Sequence, residues 1–380
     1  MSRPCDVLVV GAGVFGVWTA RHLHRAGQRV TVIDATGPAH NGASSGGESR
    51  VTRCGYGAED TYTEWADRSM AEWRALSSRA DLPLFHETGV LWIHEDGDPF
   101  VEATVRTLDR HDIPHERMAP RELRSRYPVL CVSDDEAALF EPRGGGLMAR
   151  RAVQMLAAEL AAAGVEFLAG EVSPIQAADG DANALSAART IHGAAIEADS
   201  FVLACGPWLD RVCPDAMAGR LFVTRQEVVY FSAGNADTGK LPVWFDLPFY
   251  GFPSLENQGF KVADDTHGPA ADVSRMDRRV GPETVERARE LLERRFPSLA
   301  DRPVSETRVC QYANSSNGDF VIDRHPGLEN VWLAGCGSGH GFKHGPAVGA
   351  HLTGLVLGTE TPIDRFRLAS KAKRQGREIQ

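Results

Sequence analysis

Residues 6 to 34 constrain the fold of this chain more than any other stretch. Asp6-Val7-Leu8-Val9-Val10 reads as a buried strand and runs straight into Gly11, Gly13 and Gly16. A helical segment follows to Ala26, then Gly27, then a second strand, Arg29-Val30-Thr31-Val32-Ile33, closing on Asp34. Strand, glycine turn, helix, strand and acid form the layout that cradles the diphosphate of a dinucleotide. Gly11 permits the tight turn, Gly13 lets the backbone approach the pyrophosphate, and Gly16 lets the helix sit close to the strand. The phosphates then face amides at the helix N-terminus, where the partial positive charge lies. Asp34 follows Gly11 by 23 residues, where an acid accepts the ribose hydroxyls.

At 380 residues the chain exceeds the size one core usually serves, so two domains are expected. Hydrophobic residues make up 43%, as in a globular protein, and no apolar run reaches the roughly 18 to 20 residues of a membrane helix. The apolar start reads as a strand because the glycine turn follows it at once. It lacks the basic start and cleavage site of a secretory signal. A net charge of -10 argues against nucleic acid as a partner. Cysteines 5, 54, 131, 205, 213, 310 and 336 contain no C-x-x-C pair, which supports neither a zinc site nor a disulfide framework. Reduced thiols and a cytoplasmic location are the simplest expectation.

Thr36 to Gly57 reads as a Gly- and Ser-rich loop leaving the ligand-binding edge of the sheet, and it carries Arg50 and Arg53. An ordinary flexible connection is the plain alternative. Residues 62 to 79 read as a helix, 84 to 95 as strand, 119 to 126 as a short helix and Ala149 to Ala163 as an amphipathic helix. Val165 to Leu168 and Phe201 to Ala204 read as short buried strands around a variable segment, 176 to 197. Leu221-Phe222-Val223, Glu227 to Phe231 and Phe249 to Phe252 are β-rich and aromatic, as in a sheet that walls a pocket. The charged helix Glu283 to Arg295 and the basic tail from Lys371 read as solvated. Strand Val331 to Ala334 precedes Gly335, Gly337, Gly339, Gly341 and Gly345, and a helix starts near Pro346. Such glycines remove side chains where a planar ligand could lie.

Several motifs, in order, are more specific. They are Gly47-Glu48-Ser49-Arg50-Val51-Thr52-Arg53, Phe140-Glu141-Pro142 with Gly146-Leu147, and Tyr250-Gly251-Phe252-Pro253 leading to Lys261. Cys310-Gln311-Tyr312, Phe320-Val321-Ile322-Asp323 and Ser338-Gly339-His340-Gly341-Phe342-Lys343 follow. Across nearly its whole length the chain resembles the monomeric sarcosine oxidase and N-methyltryptophan oxidase group of D-amino-acid-oxidase-like flavoproteins. The resemblance implies an α/β fold of the D-amino-acid-oxidase and glutathione-reductase type. In it, a Rossmann-like FAD-binding domain (1–83, 149–218 and 309–380) interleaves with a β-rich, α+β substrate domain (84–148 and 219–308).

It further implies FAD bound through Gly11, Gly13, Val14, Phe15, Gly16, Asp34, Ser45, Arg50, Gly337, Gly339, Gly341, Phe342 and Lys343. Cys310 is implied as a covalent link to the flavin ring, chemistry that suits a thiolate; a small buried hydrophobe is the plain alternative. Lys261 matches the lysine that promotes reaction with dioxygen, where a fixed cation stabilises the developing superoxide. A surface lysine is the alternative. Arg53 and Lys343 match the pair that grips the substrate carboxylate, with a planar fork and a point charge; pairing of Arg53 with Glu59 is the alternative. Tyr250 belongs to the implied substrate pocket. Arg50 is implied near the flavin ring, and His340 either faces the flavin edge or is simply packed.

Three positions depart from the family pattern. Ala58, with Glu59 one place later, stands where close members carry an acid. Asp265, followed by His267, stands where they carry a histidine. Ser45-Gly46 replaces a histidine before the arginine loop. Flavin handling is thus retained while the amine-side pocket is rebuilt. The expected activity is oxidation of a secondary or cyclic amino acid by a monomer, with dioxygen reduced to hydrogen peroxide. A flavin dehydrogenase or tailoring enzyme that avoids oxygen is the nearest alternative. A nicotinamide-dependent reductase and a non-catalytic flavin-holding module are more distant ones.

Overall fold

The computed structural model describes residues 5–177, 183–233 and 238–375. Strand Cys5–Val10 lies at the centre of a seven-stranded sheet, parallel to Val30–Asp34 on one side and Ala195–Leu203 on the other. Central parallel strands are covered on both faces, which is why Val7 to Val10 form an unbroken apolar run. Glu166–Ala169 closes one edge; Leu328–Gly335 and the antiparallel Val321–His325 close the other.

The first helix, Val14–Arg25, packs against helices Ala149–Ala162 and Gly345–Val356. The close approach to the last of these is made by glycine. A Cβ on Gly349 would stand 2.6 Å from the Trp18 carbonyl carbon, and one on Gly345 would stand 2.6 Å from Val14 Cγ2. Trp18 fills the seam and is fully buried.

A second, mixed sheet of eight strands forms the pocket side. It runs Val304–Asn314, Phe222–Phe231, Phe260–Asp264, Phe249–Phe252, Val243–Asp246, Val90–Glu95, Glu136–Glu141 and Glu116–Met118. The two apolar segments read at 221–223 and 227–231 are one strand, because Thr224 to Gln226 pair without interruption with Val304–Asn314. Its partner, Val304–Asn314, runs through residue 308, where the sequence divides the chain. A third sheet of three short strands, Ser49–Thr52, Gly145–Met148 and Phe85–His86, joins the two large ones.

Three expectations need correction. The loop from Thr36 to Gly57 contains strand Ser49–Thr52, so Arg50 rides on paired backbone. Helix Pro282–Arg295 is solvated on one side only. Ala288, Leu291 and Leu292 are buried in the cluster that holds Trp244 and Phe260, and Arg295 bridges Glu136 and Asp246. Lys371 is buried, and its Nζ donates to Asn317 Oδ1 at 3.0 Å and to the Arg365 carbonyl. Part of the variable segment and the end of the tail, residues 178–182 and 376–380, fall outside the described residues. Helix Pro99–Arg110, not read from the sequence, starts on an Asp98 cap that accepts from Phe100 N and Val101 N.

All seven cysteines are free thiols. Cys213, Asp215 and His325 bring their ligand-type atoms within 4.8 Å of one another. Gly327 N donates to His325 Nδ1 at 3.1 Å, so Nε2 carries the proton and donates to Asp215 Oδ1 at 3.1 Å. The trio is a hydrogen-bonded brace.

Adding one methyl group at the helix crossing tests the packing. Gly349→Ala is expected to destabilise the protein by about 1–3 kcal/mol, because backbone rather than a movable side chain blocks the space. Thermal unfolding checks it.

Candidate active site

Strand Ser49–Thr52 leads into the turn Arg53-Cys54-Gly55-Tyr56-Gly57. A buried acid holds that turn. Glu141 accepts through Oε2 from Cys54 N at 2.6 Å and Gly55 N at 3.1 Å, and through Oε1 from Trp92 Nε1 at 2.8 Å. A side chain at Gly55 would collide with the same carboxylate, its Cβ lying 2.8 Å from Oε1. Arg53 is 9% exposed, donates through Nη1 to the Gly55 carbonyl, and lies over the rings of Tyr56 at 4.3 Å, Trp92 at 4.6 Å and Phe245 at 5.4 Å. An aromatic cage thus fixes the guanidinium. Glu59, the alternative partner, pairs instead with Arg365, which also donates to Asp319 Oδ1 at 2.8 Å.

Opposite Arg53 stands Lys343, in the turn before helix Gly345–Val356. Its Nζ donates to the Tyr56 hydroxyl at 2.8 Å and to the His340 carbonyl at 3.2 Å. The same hydroxyl lies 2.8 Å from His344 Nε2 and 3.3 Å from His340 Nδ1. Burial, with the charge of Arg53 added, holds Lys343 well below the usual lysine range. Burial and then Lys343 do the same to His344. His340 stacks on Phe320 with centroids 4.9 Å apart and also lines the cavity, so it is both packed and at the site. Tyr56 and His344 were not singled out from the sequence. The available cue was an aromatic between two glycines directly after Arg53.

The third cation comes from the mixed sheet. Lys261, on strand Phe260–Asp264, is buried and donates to the Ser49 carbonyl at 3.2 Å and Ser49 Oγ at 3.3 Å. It lies 4.4 Å from the centroid of Phe252 and 5.9 Å from that of Tyr250. Burial, and then the neighbouring Arg50, pull its ammonium down to about 7. Arg50 Nη2 donates to Cys310 Sγ at 3.2 Å and to the Ser44 carbonyl at 2.8 Å, so a fixed cation faces the sulfur. None of Arg50, Arg53, Lys261 and Lys343 forms an ion pair among the described residues; their hydrogen bonds go to neutral acceptors.

The glycine cradle fits a dinucleotide. A Cβ on Gly11, whose φ is +104°, would meet the Ala204 carbonyl oxygen at 2.4 Å, and one on Gly16 would meet the Gly11 carbonyl oxygen at 1.8 Å. Those two glycines serve the fold. A Cβ on Gly13 would find within 4 Å only Ser45 Oγ, at 3.5 Å, so this glycine faces open space. Ser45 Oγ accepts from Val14 N at 3.1 Å at the start of the helix. Asp34 accepts from Ala12 N at 2.7 Å and from Thr36 N and Gly37 N, which hold the acid beside the turn.

From Gly13 a cleft of about 670 Å³ runs past Phe15, Ser45 and Cys310 to Gly337, Gly339 and Phe342. It meets a cavity of about 840 Å³ at Arg50, Tyr312, Gly339 and Phe342. The cavity brings together Arg50, Arg53, Tyr250, His340 and Lys343, with Asp265 and His267 also on its wall. Lys261 lies behind Tyr250 and Ser49 and outside the lining.

The profile of the FAD dependent oxidoreductase family matches residues 6–355. The chain belongs to that family. This flavoenzyme is 29% identical to the monomeric sarcosine oxidase of Bacillus sp. (strain NS-129), over 96% of each chain. It is 28% identical to the N-methyl-L-tryptophan oxidase of Yersinia pestis (strain Pestoides F), over 94% of this chain and 96% of that one. The structure of L-proline dehydrogenase from P. horikoshii superposes with a TM-score of 0.84 at 20% identity, covering 97% of this chain and 98% of the other. The fold is therefore that of the D-amino-acid-oxidase-like flavoenzymes, as the sequence motifs imply.

Removing the clamp on the arginine turn tests its role in the oxidoreductase. Glu141→Ala leaves three buried donors without their acceptor and is expected to cost at least about 2 kcal/mol. Denaturant unfolding reads the loss, and Glu141→Gln, which keeps the volume, should recover part of it.

Proposed function

We propose that this FAD-dependent enzyme oxidises the C–N bond of a secondary or cyclic amino acid, of the N-methyl, sarcosine-like or proline-like kind, and returns the electrons to dioxygen. The observation that carries this reading is the set of cations on and behind the cavity wall that lack a counter-ion. Burying an unpaired charge is costly, and proteins keep such charges where a ligand supplies the partner. Arg53 and Lys343 together fit a carboxylate, and the names of the relatives, sarcosine oxidase and N-methyl-L-tryptophan oxidase, agree with an amino-acid substrate.

Bound FAD supplies a hydride acceptor that can then pass electrons to dioxygen, giving hydrogen peroxide. The protein's part is to bind, orient and exclude water. Arg53, fixed over Tyr56 and Trp92, offers two parallel donors to the carboxylate without having to reorganise. Lys343 adds a charge that a bound anion draws back to the ammonium form. The ligand-free pocket disfavours that form, so a carboxylate ligand should take up a proton on binding and bind more weakly as pH rises. The amine enters deprotonated, and no side chain is asked to act as its base. Lys261, beside Ser49 and Arg50, supplies the cation for dioxygen, and Cys310 tethers the flavin ring.

In this reading segments 1–83, 149–218 and 309–380 form the cofactor half and segments 84–148 and 219–308 the substrate half. The protein works as a cytoplasmic monomer, in keeping with seven free thiols.

The tether is tested by absorbance. Yellow colour should stay with acid-precipitated wild type and move to the supernatant for Cys310→Ala; release from the wild type overturns the link. The activity is tested by peroxide release across N-methyl and cyclic amino acids, where silence of FAD-loaded protein on the whole panel refutes it.

Lys261→Met should slow reoxidation of the reduced enzyme by air by roughly 10²- to 10³-fold, and unchanged reoxidation would favour the dehydrogenase reading. The sign of the pH effect follows from a lysine lowered to about 7, cationic below that pH and neutral above it. Stopped-flow reoxidation rates should therefore fall as pH rises through neutrality. A rate that is flat or rises removes Lys261 from the oxygen step.

A further inference from the structure

His344 has no task in the scheme above, yet it stands directly behind the lysine of the carboxylate pair. It is fully buried beside the rings of Tyr62 and Phe320 and does not line the cavity. Its Nε2 lies 2.8 Å from the Tyr56 hydroxyl, while its Nδ1 is buried with no hydrogen-bond partner among the described residues. A phenylalanine would fill this apolar place without leaving a polar atom unmet. The contact at Nε2 is therefore what a histidine adds here.

The protons of this cluster can be placed. Burial, and then Lys343, keep His344 neutral, so only one of its nitrogens carries hydrogen. On Nδ1 that hydrogen would be a buried donor without an acceptor, the costlier defect. It sits on Nε2 and is donated to the Tyr56 oxygen. The same oxygen accepts from Lys343 Nζ at 2.8 Å, so the phenol's own hydrogen points elsewhere. His340 agrees. Its Nε2 faces the Gly318 carbonyl at 3.2 Å, which can only accept, so its Nδ1 is an acceptor, 3.3 Å from the Tyr56 hydroxyl. The hydroxyl gives its hydrogen to His340 and turns its lone pairs to His344 and Lys343.

That direction matters because Lys343 can be charged or neutral. A lone pair suits the ammonium, whereas a hydroxyl hydrogen turned toward Nζ would suit the neutral amine. Burial and then Arg53 disfavour the ammonium; Asp265, Glu141 and Cys54 favour it. The ammonium spends two N–H groups on Tyr56 and the His340 carbonyl and keeps a third for a ligand in the cavity it lines. We propose, resting on the function proposed above, that His344 is a positioning residue for substrate: by donating to Tyr56 it keeps a lone pair of that hydroxyl on Lys343, and so favours the ammonium that grips a carboxylate.

The test titrates the flavin absorbance of the FAD-loaded enzyme with benzoate and with benzamide, which match in shape and differ in charge. His344→Phe should raise Kd for benzoate about tenfold and leave benzamide unchanged. The loss of benzoate binding with rising pH should begin at lower pH than in wild type. His344→Gln, whose Nε2 can donate to the same hydroxyl, should recover most of both effects. Tyr56→Phe should cost at least as much, and adding His344→Phe to it should cost nothing more. Flavin content and Tm of the variants show that the fold survives.

An unchanged benzoate Kd and pH profile in His344→Phe overturns the inference while the proposed function stands. So does an equal loss on benzoate and benzamide, a loss that His344→Gln fails to recover, or a penalty that adds to that of Tyr56→Phe. If wild type binds benzoate no better than benzamide and no amino acid reduces the flavin, both readings fail.

Discussion

Everything at this site depends on keeping cationic side chains out of water without giving them an acid. Arg53 is satisfied by ring faces and one carbonyl, Lys343 by a phenol and a carbonyl, and Lys261 by a serine and its backbone. Such contacts orient the charges while leaving them largely uncompensated, at a real cost in folding free energy. The fold meets that cost elsewhere. The parallel sheet packs Val7 to Val10 and Trp18 to full burial, and the mixed sheet places Trp244, Phe260 and Phe296 in one aromatic cluster. Glu59 and Glu227 are paired with other arginines, Arg365 and Arg225.

The charges come from parts of the chain that are far apart. Arg50 and Arg53 follow the second strand of the parallel sheet, Lys261 belongs to the mixed sheet, and Lys343 precedes the last long helix. The three-stranded sheet and the hydrogen bonds from Lys261 to Ser49 join these elements directly. Glu141 is equally composite. It ends a strand of the mixed sheet yet fixes the backbone of the arginine turn and the indole beneath Arg53. Geometry at Arg53 is therefore set partly by the mixed sheet, through Glu141 and Trp92.

How much of this could be read beforehand depended on distance along the chain. The opening strand, turn, helix and strand were legible because their glycines and apolar periods are local, and the structure shows that Gly11 and Gly16 are forced by contacts within that same unit. Arg50, Arg53 and Lys343 were legible through ordered motifs. Tyr56, His344 and the clamping role of Glu141, itself part of a quoted motif, were not, because each gains meaning only from a partner 87 to 288 residues away. Lys371 was misread for the same reason: a basic tail looks solvated until Asn317 and the Arg365 carbonyl are brought to it. The helix at Pro99–Arg110 has a local start signal in Asp98-Pro99, an acid cap followed by proline at the first helical position.

Strand Val304–Asn314 carries Cys310 and Tyr312 two positions apart. Side chains so spaced leave a pleated strand on the same side, about 6.6 Å from one another along it. The cleft wall at the first and the cavity wall at the second then share one ruler. Neither can drift relative to the other without shearing a strand that is paired along its length with Phe222–Phe231. Registration between cleft and cavity is thereby written into backbone pleat, so tuning by evolution would have to proceed through the side chains hung on that scale rather than through its length.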